Sequence, residues 1–334
     1  MELTYVIAGR VTRDFILPSV GQPHLDAPGG SALYTAGGLL VWDKAAGILA
    51  RVGEDYPRPW LKEIRSRDLD IEGIQILQKS IDLRAFHAYN EKLELVHGPP
   101  ITQFARRELT FPKILHGYQD SPEIDKDMKK PDILAPLAGE IPAEYREAKA
   151  VHLCPLDFVS HNQLSVAFRA GLTTTLTLDP SAGYMTPAFY RDLRIVIAGL
   201  TAFLPSEEEL RGLFWDKTHD LWEMSTALGE YGCEIVVIKR GRLGQAVYDV
   251  KGKHRWEIPA YPARPADPTG VGDAFCGGFL AGFRKTYDPV QATLYGNVSA
   301  SLNLEGSGAF YPLDVLSGLA EARLNVMKEM VREV

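Results

Sequence analysis

The second half of the chain alternates short apolar runs with longer stretches of helical periodicity, and this alternation limits the fold more than any other feature. The apolar runs occupy 150–154, 174–178, 202–204 and 235–239, and the same pattern is present at 3–8 and 45–52. Strands that alternate with helices form crossover units, which pair neighbouring strands in parallel. The sequence therefore predicts an α/β fold with a mostly parallel central sheet of about eight or nine strands and helices on both faces.

The pattern changes between residues 80 and 117, where segments such as LRAFHAY and KLELVHG partly alternate apolar and polar residues. Such alternation is typical of antiparallel strands with one face in solvent. We therefore expect a small β element here, followed by a polar surface loop at 118–132. Further along the chain, 245–250 and 254–258 predict a hairpin.

The composition excludes several classes of protein. The 334 residues carry a formal net charge of −7, with 46% hydrophobic and 24% charged residues, which argues against a nucleic-acid or anionic-membrane partner. No apolar run reaches the roughly 18 residues that a membrane span requires, and no signal-peptide pattern is present. The sparse cysteines Cys154, Cys233 and Cys276 predict neither a disulfide framework nor a zinc motif. We expect a cytoplasmic protein.

The segment DPTGVGD at 267–273 precedes an apolar helical stretch. The first N–H groups of a helix lack partners within it and carry partial positive charge, and glycines beside them let an anion approach. Gly270, Val271 and Gly272 therefore predict an anion hole for a phosphoryl group. Asp273 would repel that anion, so its presence indicates either a general base or a helix cap. Neither a Walker loop nor a dinucleotide fingerprint is present.

The stretch DPTGVGDAF followed by GGF resembles the C-terminal signature of the PfkB, or ribokinase-like, family of small-molecule kinases. Further segments resemble motifs of this family in the right order, at Gly9 with Asp14, Gly29-Gly30 with Tyr34, 51–55, Ser206 with Glu209, Gly241 with Gly244, and Asn297. The resemblance implies a ribokinase-like three-layer α/β/α sandwich with a mostly parallel central sheet and a small β lid. The implied kinase domain comprises 1–13, 28–78 and 118–334, and the implied lid comprises 14–27 and 79–117.

The resemblance also implies an ATP-dependent kinase that transfers the γ-phosphoryl group to a hydroxyl of a sugar or polyol, with Asp273 as general base and 270–273 as anion hole. The implied acceptor side consists of Asp14, Gly29, Gly30 and Tyr34. The implied nucleotide side consists of Ser206, Gly241, Gly244, Thr269 and Asn297, and Glu209 would hold Mg²⁺. A monovalent cation and a homodimer formed through the lid are further features that the resemblance leaves open.

Two positions depart from the family pattern. Tyr34 stands where the family has a sugar-contacting asparagine, and Ser206 replaces the asparagine of the N-x-x-E motif. Because tyrosine removes an amide and adds bulk, the acceptor need not be a common pentose or hexose, and kinases of cyclitols of the inositol type are similar in varying both sites. A nucleoside or a sugar phosphate is a further alternative acceptor. A non-catalytic member that senses nucleotide or sugar is a further alternative. The basic residues Lys239, Arg240 and Arg242 would face either the triphosphate or solvent, and the sequence does not decide between these.

Overall fold

The computed structural model describes residues 3–119 and 131–334, so most of the loop predicted at 118–132 lies outside the described residues. The described strands are β1 (Tyr5–Ala8), β2 (Thr12–Leu17), β3 (His24–Gly29), β4 (Ala46–Gly53), β5 (Leu69–Asp70), β6 (Ile74–Leu77), β7 (Arg84–Ala88), β8 (Ala150–Leu153), β9 (Thr175–Leu178), β10 (Ala202–Phe203), β11 (Ile235–Lys239), β12 (Gln245–Asp249), β13 (His254–Ile258) and β14 (Arg332–Glu333). The described α-helices are α1 (Ser31–Leu40), α2 (Arg58–Ser66), α3 (Pro100–Arg106), α4 (Ala143–Arg146), α5 (Phe158–Arg169), α6 (Leu193–Ile197), α7 (Glu207–Leu213), α8 (Leu221–Gly229), α9 (Val271–Thr286), α10 (Pro289–Asn303) and α11 (Leu319–Lys328). Among these helices we find none with the length and apolar character that a membrane crossing requires.

The central sheet has eleven strands, in the order β14-β13-β12-β11-β10-β9-β8-β1-β4-β5, with β6 also paired to β4. Every pair from β5 to β11 is parallel, whereas β11 to β14 pair antiparallel. The predicted mostly parallel sheet and the predicted hairpin, β12–β13, are confirmed. The predicted number of strands is too low, because β5 and β14 have only two residues each and leave no periodic pattern.

Helices cover both faces of this sheet because successive side chains of a strand point to opposite faces. In β1, Val6 and Ala8 belong to an apolar cluster with α5, α7 and α8. Tyr5 and Ile7 of the same strand belong to a second cluster with α1 and α2. A third cluster joins α9, α10 and α11 to β10, β11 and β12. The predicted three-layer α/β/α sandwich is confirmed.

A second sheet, with the order β3-β2-β7, is formed by the segments expected to form the lid, and we call it the lid sheet. Strand β2 pairs antiparallel with β3 and parallel with β7. On one face, Phe15 and Leu17 of β2 pack with Phe104 of α3 in a small separate core. The lid sheet therefore has apolar packing of its own.

The prediction of several antiparallel strands between 80 and 117 is wrong in two respects. Strand β7 pairs in parallel with β2. The chain leaves the lid sheet after β3, passes through the elements from α1 to β6, and then re-enters the lid sheet in the direction of β2. The alternating segment 92–98 forms only an isolated bridge, between Tyr89 and Leu95, before Pro99 and Pro100 start α3. Proline cannot donate to a strand ladder but suits the start of a helix. The exact domain boundaries and the homodimer stay predictions.

Candidate active site

The carboxyl ends of the parallel strands bring together side chains that are far apart in the sequence. In open α/β sheets, ligands bind outside these ends. The residues found there are Gly9 after β1, Cys154 after β8, Asp179 after β9, Ser206 after β10 and Lys239 at the end of β11. The same edge of the molecule carries the N-terminus of α9, which begins at Val271.

Gly270 is the N-cap residue of α9, and two features require a glycine there. Its φ of 69° lies in the left-handed region. A Cβ at this position would lie 2.1 Å from ring carbons of Tyr34. Val271, Gly272 and Asp273 form the first turn of the helix, whose N–H groups have no carbonyl one turn earlier within the helix. The Val271 N–H itself donates to the Pro268 carbonyl at 3.3 Å. A helix N-terminus therefore lies at 270–273, and its role as an anion hole stays a prediction.

Asp273 lies in that first turn with a half-buried side chain, and the cap position belongs to Gly270 instead. Within the part of the chain that the structure describes, no side chain hydrogen-bonds the Asp273 carboxylate. Removal from water and the nearby carboxylate of Asp179 raise the pKa of Asp273 to about 8, although Lys239 opposes this shift. With this pKa the group exchanges its proton near neutral pH, as a general base or acid must, and at pH 7 the protonated form predominates.

Asp14 is buried in the lid sheet, with 2% of its surface exposed. Its Oδ1 accepts a hydrogen bond of 2.5 Å from Thr12 Oγ1, and its Oδ2 accepts one of 3.0 Å from the Tyr34 hydroxyl. Burial raises the pKa of Asp14, while His87, Thr12 and Tyr34 lower it. The carboxylate therefore already has two partners, and an acceptor diol could reach it only after this arrangement opens.

Gly29 and Gly30 are required by close packing around the same carboxylate. A Cβ at Gly29 would lie 1.9 Å from Asp14 Oδ2, and a Cβ at Gly30 would lie 2.5 Å from the carbonyl oxygen of Arg10. Gly30 also has a φ of 94° and precedes α1 as its N-cap. Packing against Asp14 accounts for Gly29, and the turn into α1 accounts for Gly30, whether or not these glycines contact an acceptor.

The lid sheet is docked onto the loop that leads to α9. Thr269 Oγ1 donates a hydrogen bond of 3.2 Å to the hydroxyl of Tyr89, at the end of β7. Ser19, between β2 and β3, donates to the carbonyl of Ala266 from both its backbone N (3.2 Å) and its Oγ (2.9 Å). Thr269 therefore connects the lid sheet to the loop before α9, and its position on the nucleotide side stays a prediction.

Ser206 and Glu209 form a capping box at the start of α7. Glu209 Oε2 accepts from Ser206 N at 2.7 Å and from Ser206 Oγ at 2.8 Å, and Ser206 Oγ accepts from Glu209 N at 3.2 Å. The replacement of the family asparagine by serine is thus compatible with a well-formed helix start. In residues 3–119 and 131–334 there is no cluster of three or more His, Cys, Asp or Glu suited to bind a metal.

The remaining predicted nucleotide-side residues differ in their surroundings. Gly241 has a φ of 55° and open space where a Cβ would be, so a ligand can approach it. At Gly244, a Cβ would lie 1.9 Å from the carbonyl oxygen of Ile258, so packing alone requires this glycine.

Asn297 is buried, and its amide is fully used by the protein itself. Its Nδ2 donates to Gln245 Oε1 and to the Pro259 carbonyl, both at 2.8 Å, and its Oδ1 accepts from Tyr261 N at 2.9 Å. Asn297 therefore braces the loop before α9 through both ends of its amide, and its predicted place on the nucleotide side stays a prediction.

Sequence reasoning missed a charged pair under the anion hole. The Lys239 ammonium forms a salt bridge with Asp179 Oδ2, which also accepts a bond of 3.5 Å from the Cys276 thiol. Burial raises the pKa of Asp179 to about 6, although Lys239 lowers it. The position of Asp179, directly after the strand predicted at 174–178, could have marked it as a candidate site residue. No pattern in the sequence indicates that it pairs with Lys239, which lies on another strand.

Two buried oxygens near the loop at 267–273 have no partner in the described part of the chain: Asp267 Oδ2 and Asn303 Oδ1. The other groups of both side chains hold Thr269, since Asp267 Oδ1 accepts from Thr269 N at 2.9 Å and Asn303 Nδ2 donates to its carbonyl at 2.8 Å. Asp267 and Asn303 therefore fix the backbone of Thr269, just before the start of α9.

The chain is similar to known proteins in both sequence and fold. The model of the pfkB family of carbohydrate kinases matches residues 142–316. The cytidine kinase of Thermococcus kodakarensis is 31% identical over 291 residues, which cover 85% of this chain and 89% of that protein. An E. coli protein solved with ATP and Mg²⁺ under the name ribokinase II has a TM-score of 0.72 at 17% identity, covering 98% of this chain and 100% of its own. The nucleoside kinase of Burkholderia thailandensis, solved with inosine, has a TM-score of 0.68 at 19% identity, covering 97% and 96%.

Proposed function

Because the chain belongs to the PfkB family of carbohydrate kinases, and is thus a phosphotransferase with a hydroxyl acceptor, we propose that it phosphorylates a sugar hydroxyl of a nucleoside, using ATP. The observation that carries the chemistry is the position of Asp273 in the first turn of α9, beside the N–H groups that would bind a phosphoryl group. The observation that favours a nucleoside over a free sugar or polyol is the likeness to cytidine kinase along most of the chain.

In this proposal, Asp273 takes the proton of the acceptor hydroxyl while the oxygen attacks the γ-phosphorus in line. The N–H groups of 270–273 stabilise the charge that develops on the phosphoryl oxygens. The raised pKa of Asp273, about 8, fits a group that must accept a proton near neutral pH. Docking of the lid sheet through Tyr89 and Ser19 would exclude water, which competes as a nucleophile.

A divalent metal is part of the proposed reaction, and the donor set fits Mg²⁺. Mg²⁺ keeps several waters and usually binds through one or two carboxylates together with substrate phosphates. The half-buried carboxylate of Glu209, at the start of α7, is the residue that we assign to it. When bound, the metal would neutralise charge on the phosphates.

The surroundings of Asp14 support an acceptor with an aromatic base. His24 and His87 of the lid sheet act on the pKa of Asp14, so both imidazoles lie near it. Tyr89 is connected to the anion-hole loop through Thr269. Nucleobases stack readily on aromatic and imidazole rings, and we assign these three lid residues to the base side of the acceptor.

The experiment that tests the proposal is a coupled ADP-release assay with Mg-ATP and a panel of cytidine, other nucleosides, ribose, fructose, myo-inositol and hexose phosphates. We expect turnover with a nucleoside and a fall in kcat of about 10²- to 10⁴-fold in Asp273→Asn, with ATP affinity largely kept. Glu208→Gln, which alters an exposed carboxylate on α7, is the matched control and should be unaffected.

Each other outcome has a definite meaning. Turnover with ribose or inositol alone would reject the nucleoside and keep the kinase. An unchanged kcat in Asp273→Asn would reject the general base. ATP binding without turnover on any acceptor would favour the nucleotide-sensing alternative.

A further inference from the structure

Three basic residues follow one another closely at the end of β11, and the structure separates their surroundings. Arg240 pairs with Glu207 at 3.1 Å and with Glu257 at 3.3 Å, on the outer side of α7 and β13. Arg242 lies exposed in the turn that follows. Lys239, by contrast, extends inward, and only 15% of its side chain is exposed.

The ammonium of Lys239 lies directly beside the anion hole. A Cβ placed on Gly272 would be 3.6 Å from Lys239 Nζ, so the charge adjoins the middle of the first turn of α9. The backbone of Lys239 is held next to Ser206, since its N–H donates to the Pro205 carbonyl at 2.8 Å. Lys239 therefore lies between the metal side and the phosphate side of the proposed site.

The salt bridge of Lys239 with Asp179 is not a complete structural pair. Asp179 is buried, and its Oδ1 has no partner within the described residues, while Oδ2 accepts from Lys239 and from the Cys276 thiol. A buried ion pair contributes to stability only when its remaining groups are also satisfied. The position of this pair, at the edge of a cleft and beside the first turn of α9, indicates that the charge serves a function.

We propose that Lys239 is a catalytic residue whose ammonium contacts the oxygens of the transferred phosphoryl group, and that Asp179 is the positioning residue that holds it there. The proposal rests on the proposed function, because it takes the phosphate to be bound at 270–273. Lys239 keeps its protons throughout. The acceptor oxygen forms the new bond to phosphorus, the bond to the β-phosphate oxygen of the nucleotide breaks, and the acceptor proton goes to Asp273.

The charge balance of the site supports this role. The carboxylates of Asp179, Asp14 and Glu209 all raise the pKa of Asp273, after the larger effect of burial, and Lys239 is the cation that lowers it. A phosphoryl group that enters this acidic surrounding needs a fixed positive charge beside it. A lysine can supply that charge as a compact ammonium with three donors.

The test must separate a catalytic lysine from one that only neutralises Asp179. We would compare Lys239→Met, the double variant Lys239→Met/Asp179→Asn, and Arg242→Met as the matched control. The double variant removes both charges, so no uncompensated carboxylate stays buried and folding is preserved. The measurements are kcat, KM for ATP, Tm, and the affinities for ATP and for adenosine.

We expect Lys239→Met to lower kcat by about 10²- to 10³-fold, as the loss of one oxyanion donor does elsewhere. The double variant should recover the wild-type Tm but not the activity, and Arg242→Met should match the wild type. Recovery of kcat in the double variant would overturn the proposal, because only the ion pair would then matter.

Failure of the proposed function is distinguishable from failure of this inference. If the wild type turns over no acceptor, the affinity for nucleotide tests the role of Lys239 instead. The double variant should then bind ATP at least tenfold more weakly than the wild type does, while the two proteins bind adenosine equally well. Equal ATP affinity in the two proteins would reject the role of Lys239.

Discussion

The hydroxyl of Tyr34 donates a hydrogen bond of 3.0 Å to Oδ2 of Asp14, and the ring of the same tyrosine lies against Gly270 at the start of α9. One side chain thus joins the carboxylate expected on the acceptor side to the turn expected to bind phosphate. The position that differs most from the family pattern is therefore packed into the centre of the site.

Tyr34→Phe should destabilise the protein, because it removes a donor from a buried carboxylate. We expect the free energy of unfolding to fall by about 1–3 kcal/mol, measured by urea denaturation. Tyr56→Phe is the matched control, since the Tyr56 hydroxyl is buried without a partner in the described part of the chain. That variant should be neutral or slightly more stable. Equal losses in the two variants would contradict the importance of the Tyr34 hydrogen bond.

Gly270→Ala should cost both stability and activity. The new methyl group would occupy a left-handed backbone position and collide with the Tyr34 ring, so we expect a loss of about 2–4 kcal/mol. Gly241→Ala is the control, since Gly241 also has a positive φ but open space around it. It should cost only about 1 kcal/mol. Thermal unfolding of the two variants, side by side, checks the difference, and similar losses would show that the Tyr34 ring plays no part.

The pH dependence of kcat/KM should follow the ionisation of Asp273. Burial and the Asp179 carboxylate raise its pKa to about 8, and a base acts only when it is ionised. At pH 7 about one tenth of the free enzyme would have the carboxylate, so kcat/KM should rise about tenfold between pH 7 and pH 9. A flat profile over this range, with saturating Mg²⁺, would argue against Asp273 as the base.

The raised pKa of Asp273 also predicts how the free energy of unfolding changes with pH. The folded state holds the Asp273 proton more tightly than the unfolded state does, so the contribution of this group is present at low pH. This stabilising contribution is lost as the pH rises from the ordinary pKa of an aspartate, 3.8, towards the raised pKa of about 8. The free energy of unfolding of Asp273→Asn should therefore fall less than that of the wild type between pH 5 and pH 8.

Potassium should activate the enzyme through the loop at 267–273. Asp267 and Asn303 hold Thr269 beside the first turn of α9, and buried carboxylate and amide oxygens at such a position suit a monovalent cation. We expect higher kcat in KCl than in choline chloride at equal ionic strength, and loss of this difference in Asp267→Asn. Identical rates of the wild type in both salts would mean that water, and not a cation, satisfies these oxygens.

Local patterns in the sequence were enough to predict the mostly parallel sheet with helices on both faces, the hairpin β12–β13 and the helix start near 270–273. These features depend on periodicity and on turn residues that lie next to one another. The Asp179–Lys239 pair was missed because it depends on the order of strands β9 to β11 in the sheet. Asn297 was predicted on the nucleotide side from a motif position, but its three hydrogen bonds to the protein depend on loops that no motif specifies.

The parallel pairing of β2 with β7 has a consequence for how the chain acquires its structure during synthesis. Strand β2 ends at Leu17, and its partner β7 begins only at Arg84. At the usual rates of translation, several seconds separate the emergence of the two strands from the ribosome. During that time Phe15 and Leu17 lack most of the core that later buries them. The nascent N-terminal segment should therefore be a preferred client of chaperones, and aggregation should begin there when synthesis stalls before β7.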